Sequence, residues 1–354
     1  MSKLTEFKKE LSIKGFDAAI IYDELNIHYI SGFAFSDGLL LITKNDSYLI
    51  TDFRYYELAL NCADKKFQVV TPDNHLEFVI EMIKKHDCGN IAIECGHISY
   101  NTFKRYEAAL SDAKLCDLGN TLEVMRQIKT DHEISLIDQA QKITDKAFSE
   151  LLKNITPDMT EIEVTAELEY SMKKNGADGL AFDTIAVSGD ASAIPHGKPR
   201  NIKLKRGFLT MDFGAKYNGY CSDMTRTIVI GKADDDMKRL YNTVLMAQKS
   251  ALDYLCEGAD GGEADKIARD IIDAKYKGAF GHSLGHSVGL YIHEAPGLSR
   301  RYLGQKLLRN QILTVEPGIY LFGKYGCRIE DMVCIKENGV LNFTHSTKEL
   351  IEIF

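Results

Sequence analysis

The sequence predicts two domains in series: an α/β layer first, then a domain of capped helices, glycine-rich loops and short strands. Three observations carry this. The chain has 354 residues, more than one domain of about 100–200 residues holds. Its first part alternates strand-like apolar runs with helical patterns, as an α/β sheet does. Its second part opens on two helix-capping signatures and then becomes rich in Gly. A connection within 119–130 divides the chain into an N-terminal domain, 1–122, and a second domain, 123–354.

The elements follow in order. From Met1 the first ten residues are polar and amphipathic, without the apolar core of a signal peptide, and a short helix is expected over 4–14. Ala18 to Tyr22 reads as a buried strand. Leu39–Thr43 and Tyr48–Thr51 read as a hairpin around Lys44-Asn45-Asp46-Ser47. Gln68-Val69-Val70 and Ile91-Ala92-Ile93 are further strands, with a helix from Leu76 to Lys85 between them. Thr130-Asp131-His132-Glu133 has the spacing of a capping box, a side chain at N-cap and a carboxylate three residues on. Ile134, Ile137, Ala140, Ala147, Phe148 and Leu151 then recur at helical spacing. Thr160-Glu161-Ile162-Glu163 opens a second helix to about Lys174.

Composition removes several classes of function. The 43 basic against 51 acidic side chains leave a net charge of −8, which argues against nucleic acid or an anionic membrane as partner. No apolar run approaches the ~18 residues of a membrane span. The eight Cys are scattered, with no Cys-x-x-Cys pair, as in a reduced cytoplasmic protein rather than a secreted disulfide scaffold or a zinc finger.

The most informative stretch runs from Leu209 to Ile228. Asn218-Gly219 is a two-residue hairpin turn, since both positions tolerate positive φ. If that turn forms, Tyr217 faces Tyr220 and Gly214 faces Asp223. Asp212, two residues from Gly214, then shares a face with Asp223, about 7–8 Å away on the diagonal. Apolar neighbours (Leu209, Met211, Phe213, Ile228) predict a buried hairpin, where two ionised carboxylates need compensation. A cation between them is one solution. The simpler one pairs Asp223 with Arg226 and lets Asp212 cap a turn.

Three of the ten His lie in Gly281-His282-Ser283-Leu284-Gly285-His286-Ser287-Val288-Gly289-Leu290-Tyr291-Ile292-His293-Glu294. Gly at 281, 285 and 289 argues against a helix, and so against a His-Glu-x-x-His zinc site. His196 sits in a turn-like Ile194-Pro195-His196-Gly197. Leu313-Thr314-Val315-Glu316-Pro317-Gly318 ends a strand-like run on an acid, and Arg328-Ile329-Glu330-Asp331 places acids in another. A Glu among apolar strand residues is paired or ligating; for Glu330 an ion pair with Arg328 is the simpler choice. Spacing alone does not fix the register between these two strands.

The ordered set Asp212, Asp223, His286, Glu316, Glu330 resembles that of the pita-bread metallopeptidases: methionine aminopeptidases, Xaa-Pro aminopeptidases and Xaa-Pro dipeptidases (prolidases). The runs around those five residues carry the likeness. Asn26-Ile27-His28-Tyr29-Ile30-Ser31-Gly32-Phe33 and Thr51-Asp52-Phe53-Arg54-Tyr55 resemble the N-domain of the Xaa-Pro branch and of creatinase. The resemblance implies a creatinase/prolidase-like α/β N-domain and an α+β pita-bread catalytic domain.

It also implies a dinuclear site: Asp212 on one metal, His286 and Glu316 on the other, Asp223 and Glu330 bridging. Mn, Co, Fe and Zn all suit such donors, with Mn leading. Glu316 would shuttle a proton, His293 would steady the oxyanion, and His196, His282 and His293 would contact substrate. The expected activity is hydrolysis of peptides with proline at the second position by a cytoplasmic homodimer. Aminopeptidase action leads over dipeptidase action, because some small dipeptidases carry an Arg where this chain has Gly297, with Arg300 and Arg301 slightly later. A methionine aminopeptidase, a creatinase-like hydrolase and a non-enzymatic pita-bread binding module rank lower, since the N-domain disfavours the first and the complete ligand set the other two.

Overall fold

A computed structural model describes residues 2–354; Met1, the start of the amphipathic segment, lies outside them. The chain divides into two compact units at Met125/Arg126. In the first, the order is α1 (Lys3–Ile13), β1 (Ala18–Ile21), α2 (Glu24–Ser31), β2 (Leu39–Thr43), β3 (Ser47–Ile50), α3 (Phe53–Cys62), β4 (Gln68–Val70), α4 (His75–Lys85), β5 (Asn90–Ile93), α5 (Tyr100–Ala109) and β6 (Lys114–Asp117), and α6 (Thr121–Gln127) crosses the division. The sheet runs β4-β3-β2-β1-β5-β6. Its centre is β1, Ala18-Ala19-Ile20-Ile21, buried throughout as a strand covered on both faces must be. Val79 and Ile83 of α4 and Tyr106 of α5 pack on that sheet. The 39–51 hairpin forms as expected; α2, α3, α5 and β6 were not foreseen, nor was α6 within the expected connection.

The second unit continues with α7 (Asp131–Asn154), α8 (Glu161–Lys174), β7 (Gly179–Leu180), β8 (Ile185–Ser188), β9 (Gly207–Phe213), β10 (Ala215–Tyr217), β11 (Tyr220–Cys221), β12 (Met224–Ile230), α9 (Asp235–Tyr254), α10 (Gly261–Tyr276), β13 (Gly285–Ser287), β14 (Glu294–Leu298), β15 (Ile312–Val315), β16 (Gly318–Leu321), β17 (Tyr325–Arg328), β18 (Asp331–Lys336), β19 (Gly339–Asn342) and β20 (Glu352–Ile353). Both capping boxes are present: the Thr130 and Thr160 side chains accept from Glu133 N and Glu163 N, whose carboxylates reach back to the N-cap amides. The helices form two pairs. Phe148 and Leu151 of α7 and Val164 and Leu168 of α8 pack on Leu209, Met211 and Ile228 of β9 and β12. Leu240 and Val244 of α9 and Ala264 and Ala268 of α10 pack on Leu313, Val333 and Ile335 of β15 and β18. Truncating any of these large buried side chains to Ala would cost about 2–5 kcal/mol.

Each helix pair backs a strand pair that aligns two acids. In the first, Asn218 and Gly219 take φ of 45° and 80°, the signature of a type I′ turn. Tyr217 faces Tyr220 and Lys216 faces Cys221, while beyond them Phe213 faces Met224. Gly214 and Asp223 therefore stand opposite each other, as the turn implied. In the second, Leu321 faces Tyr325 across the loop Phe322-Gly323-Lys324, and Gly318 faces Arg328. Further along, Val315 faces Asp331. Glu316 and Glu330 thus face each other, which settles the register that spacing alone left open.

Candidate metal centre

The two strand pairs lie side by side. Glu330 N donates to Thr225 O at 3.1 Å, and the Thr227 hydroxyl donates to Arg328 O at 2.9 Å. Side chains alternate along a strand, so Asp212, Asp223 and Thr225 leave the first pair on one face, and Glu316, Arg328 and Glu330 leave the second. A cleft of about 720 Å³ receives them, and His196, His282, His286 and His293 line it as well. All eight site residues named from sequence therefore reach one cleft.

At its centre, Asp223, His286 and Glu330 each bring one donor atom within 4.8 Å of the others. The His286 Nδ1 lies 3.2 Å from Ser287 O. A carbonyl only accepts, so this nitrogen carries the proton. Burial and then His293 push the His286 pKa down to about 4, and its Nε2 is a bare lone pair at neutral pH. That lone pair is 3.5 Å from Asp223 Oδ2 and 3.4 Å from Glu316 Oε1. Two carboxyl oxygens and one imidazole lone pair thus converge on one point.

The carboxylates show the same deficit. Burial, followed by Glu330, Asp212 and Glu316, holds the Asp223 carboxyl well above its usual range. Burial and then Glu316 do the same to Glu330, and burial lifts Glu316 to about 8. Glu330 Oε2 accepts from the Thr225 hydroxyl at 2.7 Å, but Glu330 Oε1 and Asp212 Oδ1 are buried without a partner. Unpaired buried carboxylate oxygens are costly. A hard or borderline cation is the occupant this donor set fits.

Neither simpler pairing forms. Arg226 turns from Asp223 and meets Asp331 at 2.8 Å. Arg328 meets Asp212 at 2.7 Å rather than Glu330, and also holds the Thr225 and Tyr320 hydroxyls, each at 2.9 Å. Arg328, which lines the cleft, and the buried Tyr320 behind it are the residues that sequence reasoning undervalued. The period of two that puts Arg328 on the face of Glu330 was the available signal. His282 has both nitrogens engaged: Nδ1–H donates to Ser283 O and Nε2 accepts from Tyr320 OH, each at 2.8 Å.

A fold of two capped helix pairs, each backing a strand pair that turns two acids into one cleft, defines a carboxylate-rich metallohydrolase of the pita-bread class. Residues 135–337 match Metallopeptidase family M24, and residues 3–128 match the Creatinase/Prolidase N-terminal domain. The chain belongs to the M24 metallopeptidases, enzymes that use divalent metal ions, and carries the creatinase/prolidase N-terminal domain ahead of the pita-bread domain. It is 38% identical over 354 residues to the Xaa-Pro dipeptidase of Pyrococcus furiosus, with 99% of each chain covered. Among solved structures it is similar to the Xaa-Pro dipeptidase from Bacillus anthracis (TM-score 0.94, 38% identity, 99% of each chain). It is also similar to the X-Pro aminopeptidase from Thermotoga maritima (TM-score 0.92, 38% identity, covering 98% of this chain and 100% of that one). Among the described residues no helix is long and apolar enough to cross a membrane.

Proposed function

We propose that this chain hydrolyses the peptide bond between an N-terminal residue and a following proline. Asp212, Asp223, His286, Glu316 and Glu330 would hold two divalent ions, with Asp212 on one, His286 and Glu316 on the other, and Asp223 and Glu330 shared. One observation carries the reading: the lone pair of neutral His286 aimed at oxygens of Asp223 and Glu316, an arrangement that a cation between them makes favourable. Bound there, the ions would polarise the scissile carbonyl and acidify a water, with manganese the first candidate and cobalt, iron or zinc the others.

The chain's own groups supply the rest. Glu316 carries the proton from the attacking water to the leaving proline nitrogen. His293, exposed in the cleft, donates an N–H to the developing oxyanion. Proline's tertiary amide brings a rigid ring and no N–H, and Phe182, Ile185, Pro195, Pro199 and Ile292 offer that ring an apolar wall. His196 sits beside this wall, against the scissile bond or the ring. His282, with both nitrogens engaged, meets substrate by packing.

An aminopeptidase on longer peptides is favoured by Gly297. A Cβ there would come within 2.9 Å of the Tyr302 ring and 3.2 Å of Gly285 O, so a carboxylate-binding Arg at this position is obstructed. Dipeptide cleavage fits the same site, and the names of the Pyrococcus furiosus and Bacillus anthracis relatives lean towards it. The catalytic part is 123–354 and the N-terminal domain 1–122, a division supported by the compact units. The same reading includes a cytoplasmic homodimer. Chelator-stripped protein reloaded with manganese should hold about two ions per chain and cleave Ala-Pro-Ala faster than Ala-Pro. Faster cleavage of Ala-Pro makes it a dipeptidase, and metal-independent cleavage overturns the centre.

A further inference from the structure

Glu294 follows His293, and its side chain is only 4% exposed. Its Oε1 accepts from Arg126 Nε at 3.1 Å and from Tyr291 N at 3.3 Å. Its Oε2 accepts from Lys129 Nζ at 3.1 Å. Lys129, 1% exposed, also donates to the hydroxyl of Ser287 at 3.3 Å, and Ser287 follows His286. One ammonium thus ties both ends of the loop between His286 and His293. The Arg126 guanidinium lies over the Tyr291 ring of that loop, 5.1 Å from its centroid.

A few residues on, the same segment grips the hairpin that carries Asp223. Glu133 Oε1 accepts from Tyr220 OH at 3.0 Å, while Glu133 Oε2 is fixed by Thr130 in the capping box. Loop and hairpin also touch directly, Cys221 N donating to Gly289 O at 2.8 Å. Burying Lys129, Arg126 and Glu294 carries a desolvation cost that apolar residues of similar volume would avoid. What charge-assisted bonds add is direction. None of these residues has a part in the hydrolysis described above.

We propose that Arg126, Lys129 and Glu133 form a bracket that sets the His286–His293 loop against the Asp223 hairpin, and that Lys129 is a positioning residue for His293. The inference rests on the peptidase reading for its kinetic consequence. His293 acts in the transition state, so a loosened bracket lowers kcat more than it raises KM.

The experiment compares wild type with Lys129→Met, Lys129→Arg and Tyr220→Phe. In the manganese-loaded protein, with Ala-Pro-Ala as substrate, Lys129→Met should lower kcat about tenfold or more with KM within about threefold. Lys129→Arg, which restores the charge and the donor, should recover kcat to within about threefold of wild type. In metal-free protein labelled with ¹⁵N at histidine, Lys129→Met should move the ring resonances of His286 and His293 and leave those of His75 and His345 in place. Wild-type kcat together with unmoved His286 and His293 resonances in folded Lys129→Met overturns the bracket. If Lys129→Met does not fold, Tyr220→Phe decides on the same two readouts, with a kcat loss of about threefold expected. Wild type that fails to cleave the peptide overturns the peptidase reading instead, and the ring resonances still judge the bracket.

Discussion

Glu330 and Asp331 are neighbours in the chain and equally removed from water, at 1% and 0% exposure, yet their surroundings are opposite. Asp331 accepts from Arg226 at 2.8 Å, from Lys348, and from Asn342 at 2.9 Å. Burial alone would raise its pKa, but Arg226 and then Lys348 hold it below the usual aspartate value. Glu330 has one hydroxyl on one oxygen, nothing on the other, and more acids nearby. Strand alternation sends the two side chains to opposite faces, one into a compensated core and one into the cleft. What separates the structural acid from the candidate ligand is therefore who neutralises it, not how deep it lies.

The largest effect that would sharpen this contrast comes from Glu330→Gln. Steady-state hydrolysis of Ala-Pro-Ala should drop by about 10³-fold or more, and elemental analysis should find less metal per chain. Urea unfolding of the metal-free variant should become harder by about 1 kcal/mol, because a repulsive charge has gone. Undiminished turnover would place Glu330 among the structural acids after all. Next is Asp331→Asn, which takes the carboxylate from buried Arg226 and partly exposed Lys348 and should lower unfolding free energy by about 3–5 kcal/mol; an unaltered urea midpoint would break the comparison from the other side.

The pH dependence of the metal-free protein should carry both behaviours. Glu316, at about 8 when folded against an ordinary 4.5, binds its proton more tightly folded than unfolded. Stability from this group is full below pH 4.5 and declines as pH rises towards 8. Asp331, depressed from 3.8, behaves oppositely: its contribution is present above pH 3.8 and is lost as pH falls through its folded value. Thermal melts of chelator-treated protein should fall across pH 5–8, and added manganese should abolish that fall; a flat profile without metal would contradict the unneutralised cleft. The smallest effect is expected for Thr225→Val, which removes the hydroxyl on Glu330 Oε2 and should weaken metal binding about 10–100-fold in a chelator competition titration.

Much of this was legible in the sequence because it is local. The capping boxes at Thr130 and Thr160 announce their helices, and Asn218-Gly219 alone fixes which residue faces Asp223. The helix α3 escaped because only Ala59 of it is buried, leaving no apolar stripe to read. The partners of Arg226 and Arg328 were misjudged for another reason. Each lies near its expected acid in sequence, but the choice is made by how one strand pair stacks on the other, and no spacing rule reports that. The facing of Glu316 and Glu330 depended on the backbone of a three-residue loop. The five proposed ligands were recognised together only through the order of their motifs, since each segment by itself admitted a simpler account.

That loop, Phe322-Gly323-Lys324, and the Asn218-Gly219 turn sit at the tips of their hairpins, away from any reacting atom. Each nevertheless acts as a counting device. Adding or deleting one residue at either tip would slide one strand past its mate and present a neighbouring side chain where an acid now stands. Evolutionary drift in these two tips is therefore constrained in length even where their composition is free, and grafting this centre onto another scaffold would have to copy the tips along with the acids.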